Sequence, residues 1–338
     1  MTPLAADAQD PGSWFGLSLP IVIGEIGGNH NGDVALAQRM IDAVADAGAG
    51  VAKFQAYHTA DWISAEDPSY DGFAREELPD EAWAELAARC QARDVVFLAT
   101  PFDRTSVDRL AALGVPAFKI ASGDLTNRPF LRYVAAKGRP VLLSTGASTW
   151  GEIDAAVETI REVSKAGLLL LHCTAAYPTS DDEANLSVIP AMAKRYGCPV
   201  GFSDHTAGVE ITLAAVALGA VVLEKHVTID RSLPGGDNAI SILPGELRAL
   251  VDGSRRVLAS LGCAERQVTP AERTLLSAIR RSVAVRRDVK AGECLSPADL
   301  FELRPGTGIP ASAVEEVTGR TARVPLHAGQ ILHRDDLA

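Results

Sequence analysis

Two short phrases, Gly201-Phe-Ser-Asp-His-Thr206 and Leu223-Glu-Lys-His226, each set a histidine just past an apolar run that reads as a buried strand. A neutral imidazole offers a lone pair to Zn, Mn, Co or Fe. Two of them with coordination positions left open suit a catalytic ion better than a structural one. Between the phrases lies the stretch 208–220, of helical length with glycine near both ends. His205 and His226 therefore belong to consecutive strand-helix units and should emerge side by side. A histidine that merely satisfies a loop carbonyl explains either residue alone equally well; the paired placement weighs against it.

The elements that must position these residues are legible from about Ile21 to Leu261, where short Val/Ile/Leu-rich runs alternate with amphipathic stretches of helical length. That alternation is the mark of a parallel sheet with crossover helices. The expected strands are Ile21–Ile26, Gly50–Gln55, Val95–Ala99, Ala117–Ile120, Val141–Leu143, Leu168–Leu171, Val200–Phe202 and Val221–Leu223. Asp33 should cap the first helix and Gly48 end it, while Thr149 with Glu152 reads as a capping box. Eight such units make an α/β TIM (β/α)8 barrel. Its site is built where strands end, and the residues there form one polar set: Glu25, Asn29, His30, Lys53, Gln55, Thr100, Lys119, Ser122, Asp124, Ser144, Thr145, Thr174, Tyr177, Asp204, His205, Glu224 and His226. Each such group must be solvated or paired, so their convergence on one mouth indicates a ligand site. The longest connection, about Tyr57 to Pro79, carries Trp62, Tyr70 and Phe73 and should cover substrate.

The chain has 338 residues, 47% of them hydrophobic, enough for one large barrel and a small appended domain or for two medium domains. A formal charge of −11 excludes the basic stripes that nucleic acid and anionic membranes require. No apolar run reaches the length of a membrane span. Five widely spaced cysteines without a CxxC pair indicate neither a disulfide framework nor a zinc ribbon, so the cytoplasm is the expected compartment. The expected division is an N-terminal tail at 1–18, a barrel at 19–265, a linker at 266–280 and a small β-rich module at 281–338. That module carries a weak repeat, Val289–Leu300 against Leu326–Leu337, in which an Ala-Gly pair and a closing Asp-Leu recur at the same spacing.

From here the phrases resemble a known family, the sialic acid (N-acetylneuraminate) synthases with the related nonulosonic acid and spore-coat polysaccharide synthases. The matching phrases are Gly24–Asp33, Val51–Gln55, Thr100–Asp103, Phe118–Asp124, Ser144–Gly146, Leu171–Thr174 with Tyr177–Thr179, Gly201–Thr206, Glu224–His226 and Arg304–Gly308. The resemblance implies condensation of phosphoenolpyruvate with an N-acetylated hexose aldehyde, such as N-acetylmannosamine, to a nonulosonic acid and phosphate by C–O cleavage. It also implies an antifreeze-like (SAF, β-clip) terminal module and a face-to-face homodimer, in which that module reaches over the partner's barrel and contributes an arginine that maps to Arg304.

On the same basis, Lys53, Lys119, Ser122, Ser144 and Thr100 are the expected partners of phosphoenolpyruvate, with Gln55 and Phe102 as further substrate-binding residues. His205 and His226 would hold a divalent metal, Mn2+ first and Mg2+ or Co2+ in its place, that polarises the aldehyde oxygen. Asp124 and Asp237 would position or deprotonate water, Glu25 would hold sugar hydroxyls, and Tyr177 would line the pocket. Three positions depart from the family pattern: Asp124 stands for Glu, about 1.5 Å shorter in reach, Ala175 for Asn, and Gly236 for Pro. The competing functions are a class I aldolase using Lys119 or Lys225, another phosphoenolpyruvate–aldose condensing enzyme, and a non-catalytic sugar-binding protein.

Overall fold

The computed structural model describes residues 9–338, which divide into two compact units meeting at Gly262 and Cys263. In chain order the first unit contains α1 (Pro11–Phe15), β1 (Ile21–Gly27), α2 (Val34–Asp46), β2 (Val51–Ala56), α3 (Thr59–Trp62), α4 (Tyr70–Glu76), α5 (Ala82–Ala92), β3 (Val96–Pro101), α6 (Arg104–Leu113) and β4 (Phe118–Ile120). It continues with α7 (Arg128–Ala135), β5 (Val141–Ser144), α8 (Trp150–Val163), β6 (Leu168–His172), α9 (Val188–Tyr196), β7 (Val200–Asp204), α10 (Glu210–Ala217), β8 (Val222–His226) and α11 (Pro244–Leu261). The strands are parallel in the order β3-β2-β1-β8-β7-β6-β5-β4, and β3 lies beside β4 to bring the sheet round into a barrel. The eight-unit architecture expected from the alternation is therefore present.

Local signals account for much of this. Asp33 accepts from Leu36 N at the start of α2, whose apolar face, Leu36, Met40, Ile41 and Val44, recurs at helical spacing and is buried against the sheet. Thr149 and Glu152 make both bonds of the capping box that opens α8. Asp103 caps α6 and also accepts from His58 N, which ties the end of β2 to the end of β3. Strand parity then separates two cores. Ile21, Ile23, Val51, Leu98, Leu142, Leu169, Leu171 and Val222 fill the barrel interior together with Phe15 from α1. Val22, Ile26, Phe54, Phe118 and Phe202 face the helices. Gly201 is obligatory in the interior, since a Cβ there would strike the Val222 carbonyl and lie 2.6 Å from Leu171 Cδ2.

The second unit contains α12 (Pro270–Ile279), β9 (Ser282–Val285), β10 (Leu300–Leu303) and α13 (Val314–Val317). The stretch read from sequence as a linker thus holds a ten-residue helix. β9 and β10 pair antiparallel over a core that includes Val283, Val285, Leu295, Leu326 and Leu332. The weak repeat is structural. Val289 and Leu326 bridge each other, Gly292 and Gly329 both take φ near +83°, at 82° and 84°, and Ser296 with Asp299 and His333 with Asp336 form matching capped turns. No helix among the described residues is long and apolar enough to cross a membrane.

Candidate active site

On most barrel strands the interior apolar residue is followed two positions later by a polar one on the same side. Ile23 leads to Glu25, Val51 to Lys53, Leu98 to Thr100, Leu142 to Ser144, and Val222 to Glu224 and then His226. These residues, with Lys119, Ser203 and His205, line a cavity of about 810 Å³ at the carboxyl ends of the strands. Glu25 lies opposite both His226 and Lys53 in the sheet register. The expected residues Gln55, Phe102, Ser122, Tyr177 and Asp237 also line the cavity.

The floor of the site is a buried ionic network. Lys53 Nζ lies 2.6 Å from Glu25 Oε2 and 3.5 Å from Glu224 Oε2, and donates to Thr100 Oγ1 at 2.9 Å. Lys119 Nζ is 3.3 Å from Glu224 Oε1, which also accepts from Ser203 Oγ at 2.7 Å. Burial would push Lys53 down, but Glu224 and Glu25 outweigh it and hold the ammonium above its ordinary range. For Lys119 burial wins over the attraction of Glu224, and its value falls. Glu25 is pushed up to about 6, by burial first, with Lys53 opposing. Glu224 is held below the usual carboxylate range: burial raises it, but Lys119 and Lys53 together overcome that. A divalent or trivalent anion arriving here meets two ammonium groups already pinned by carboxylates. Ser144 Oγ is buried in the same wall without a hydrogen-bond partner among the described residues, as expected where a ligand supplies the missing partner.

Across the cavity stand the histidines. Their ring centroids are 5.6 Å apart. His205 Nδ1 donates to the Thr174 carbonyl at 2.9 Å, which leaves its Nε2 lone pair free. His226 Nδ1 is buried without a hydrogen-bond partner among the described residues, 3.4 Å from Asp237 Oδ2. Burial lowers both imidazoles, His226 well below its ordinary value, so both are neutral and able to ligate. Tyr177 packs on His205 at 4.2 Å between ring centroids. Two neutral imidazoles beside a carboxylate fit a divalent ion with N/O preference. A second group of possible donors, His58, Asp61 and Asp103, has its donor atoms within 4.8 Å of one another. Asp103 there is already engaged by Ser106 N, Ser106 Oγ and His58 N, and the Arg109 guanidinium sits 3.0 Å from His58 Nε2. Those contacts account for that cluster as structural.

Several expected members of the mouth lie elsewhere. Asp204 and Lys225 have the opposite strand parity to His205 and His226. They pair at 2.7 Å outside the barrel, where Thr212 of α10 also bonds Asp204, so Lys225 is not available as a Schiff-base lysine in this cavity. Asp124 is absent from the cavity wall and accepts from Asn127 Nδ2 at 3.1 Å, and burial raises its carboxyl. Asn29 is buried among loop groups, bonding Val227 O and Ser241 Oγ. His30 Nδ1 accepts from Gly32 N, Thr145 Oγ1 donates to Leu171 O, and Thr174 Oγ1 to Glu183 O. Arg304, expected to serve the partner's cavity and not this one, follows β10 in the second unit and is exposed, without an ion pair or side-chain hydrogen bond among the described residues. Sequence reasoning missed the hub role of Glu224, and Ser203, Cys173 and Glu76 in the wall. Ser203 and Glu224 each stand two residues before a histidine, a step that singles them out only once the histidines are known to face inward. The 57–79 connection contributes Trp62 and Phe73 to the cavity wall, where their rings cluster with Tyr57 and Phe102, while Tyr70 is not in the wall.

A barrel mouth that combines buried ammonium groups, carboxylates and paired neutral imidazoles defines an enzyme-type site for an anionic ligand. The chain belongs to the NeuB family, whose model matches residues 40–266, and residues 280–338 match the SAF domain. It is 37% identical to the N,N'-diacetyllegionaminic acid synthase of Campylobacter jejuni, over 89% of this chain and 95% of that one. It is 36% identical to the synthase of the same name from Legionella pneumophila, over 92% of each. Among solved structures, the N-acetylneuraminic acid (sialic acid) synthetase of Leptospira borgpetersenii, crystallised with citrate, superposes with a TM-score of 0.73 at 38% identity, covering 76% of this chain and 90% of that one.

Proposed function

We propose that this chain joins phosphoenolpyruvate to an N-acetylated hexose in its open-chain aldehyde form, giving a nonulosonic acid and inorganic phosphate. The observation that carries the reading is the facing pair of half-sites: Lys53 and Lys119 with Ser144 on one side, His205 and His226 with Asp237 on the other. The enol phosphate is held by Lys119, Ser122 and Ser144, with Lys53 behind it. His205 and His226 would hold a divalent ion, Mn2+ or in its place Mg2+ or Co2+, which would supply Lewis acidity to the aldehyde. C3 of the enol attacks the aldehyde carbon, water adds to C2, and phosphate leaves with its bridging oxygen. In this scheme Asp237, 3.4 Å from His226, takes the proton of that water; burial raises its carboxyl. Glu25, with a value of about 6, is the second proton carrier. Asp124, outside the wall, has no direct role in this scheme. The protein works as a homodimer in which Arg304 serves the partner's cavity, a role supported by its exposure without a partner.

The test is phosphate release from phosphoenolpyruvate across a panel of N-acetylated hexoses with Mn2+. Release with at least one sugar is expected. The depressed Lys119 favours a class I aldolase as the second reading. Borohydride trapping of an imine on Lys119, with no phosphate released, would replace the proposal with that one.

A further inference from the structure

We infer that Glu76 is a positioning residue, which ties the covering segment to the loop carrying Asp237 and so sets that carboxylate against His226; this rests on the reading above. Glu76 is the last residue of α4, half-buried in the cavity wall. Its Oε1 accepts from Gly236 N at 2.9 Å, and the next N–H, that of Asp237, is taken by Asn29 Oδ1 at 2.8 Å. Two successive backbone donors, those of Gly236 and Asp237, are thus held by side chains from α4 and from the loop after β1. Asn29 is buried and fixed to Val227 and Ser241. Glu76 is the contact that comes from the covering segment, which Glu77 anchors at the start of α3 by accepting from Thr59 N and Oγ1.

The surroundings leave a socket for the carboxylate. A Cβ on Gly28 would collide with Glu76 Oε2, and one on Gly235 would lie 2.6 Å from Asn31 Oδ1 and 2.9 Å from Glu76 Oε1. Glu76 makes no ion pair among the described residues, although burial raises its carboxyl. An uncompensated carboxylate costs stability, and its one strong contact is the donor next to Asp237. Ligand seated beneath α4 would press on the same side chain, so acceptor binding and the placement of Asp237 share one contact.

The experiment compares Glu76→Ala, Glu76→Gln, Gly28→Ala and the Glu76→Ala/Gly28→Ala double variant in the full chain. Hydrogen exchange of the peptide covering 232–240 is read beside steady-state kinetics. Glu76→Ala and Gly28→Ala should each speed exchange there and lower kcat about tenfold or more, the loss of one charge-assisted bond, with KM for phosphoenolpyruvate changed less than about twofold. Glu76→Gln keeps an oxygen acceptor and should stay within about threefold of the parent. The double variant should be no worse than Glu76→Ala, because the methyl then has nothing to displace. Unchanged exchange in Glu76→Ala, equal losses in the Ala and Gln variants, or additive losses in the double variant would each overturn the assignment. Absence of phosphate release from the parent enzyme would remove the functional reading, while the exchange measurement would still decide the contact.

Discussion

Glu224→Gln tests the ionic floor of the site. Glu224 is buried and lies 3.5 Å from Lys53 and 3.3 Å from Lys119. At an effective dielectric of 20, each contact is worth about 5 kcal/mol of gross Coulomb energy, most of it offset by the desolvation of three buried charges. Removing one partner leaves two ammonium groups to a single carboxylate, Glu25, and the net loss should be about 3–5 kcal/mol. For a unit of this size that lowers the melting midpoint by on the order of 10 °C. The assay is urea denaturation followed by far-UV circular dichroism, at constant m-value. The Lys119→Met/Glu224→Leu double variant, which removes a whole pair and leaves Lys53 with Glu25, should recover most of that stability, since apolar replacement of a complete buried pair is close to neutral. Turnover should be lost in both. A Glu224→Gln protein within about 0.5 kcal/mol of the parent, or a double variant less stable than the single, would refute the network as described.

Other expected outcomes follow from the same geometry. His205→Ala and His226→Ala should each lower turnover by about two orders of magnitude, as for loss of a Lewis acid, and turnover near the parent's in the double variant would count against a metal role. Glu25 holds its proton to about pH 6 in the fold, against about 4.3 when unfolded. Between those values the native state binds more protons, so the stability of the parent relative to Glu25→Gln should fall as pH rises through this window and level off above it; Lys53, Lys119 and Glu224 face the group throughout. A flat difference from pH 4 to 7 would show that burial does not dominate. Gly201→Ala forces a methyl against the Val222 carbonyl and Leu171 and should cost about 1–3 kcal/mol by overpacking, read from the same denaturation curves. Mixing Arg304→Ala with His226→Ala protein should restore part of the activity missing from each alone, and no recovery would argue against a shared site.

The eight strand-helix units, the caps at Asp33 and Thr149, the twin turns of the terminal module and the two histidine-bearing strand ends were all legible in the chain. Each rests on local chemistry, namely hydrophobic period, a capping side chain or a repeated phrase. Which parity of each strand faces inward was not, because strands of a parallel barrel are buried on both sides and carry apolar residues throughout. Asp204 and Lys225 were for that reason as plausible in the mouth as Ser203 and Glu224, until α10 covered one face and the cavity took the other. Asp124 sits only a few residues past its strand, yet the turn at Ser122–Asp124 carries it out of the wall. The hub position of Glu224 and the grip of Glu76 on Gly236 join residues 53, 119 and 224, or 76 and 236. Their distances depend on closing a ring of eight strands, so only the tertiary structure could decide them.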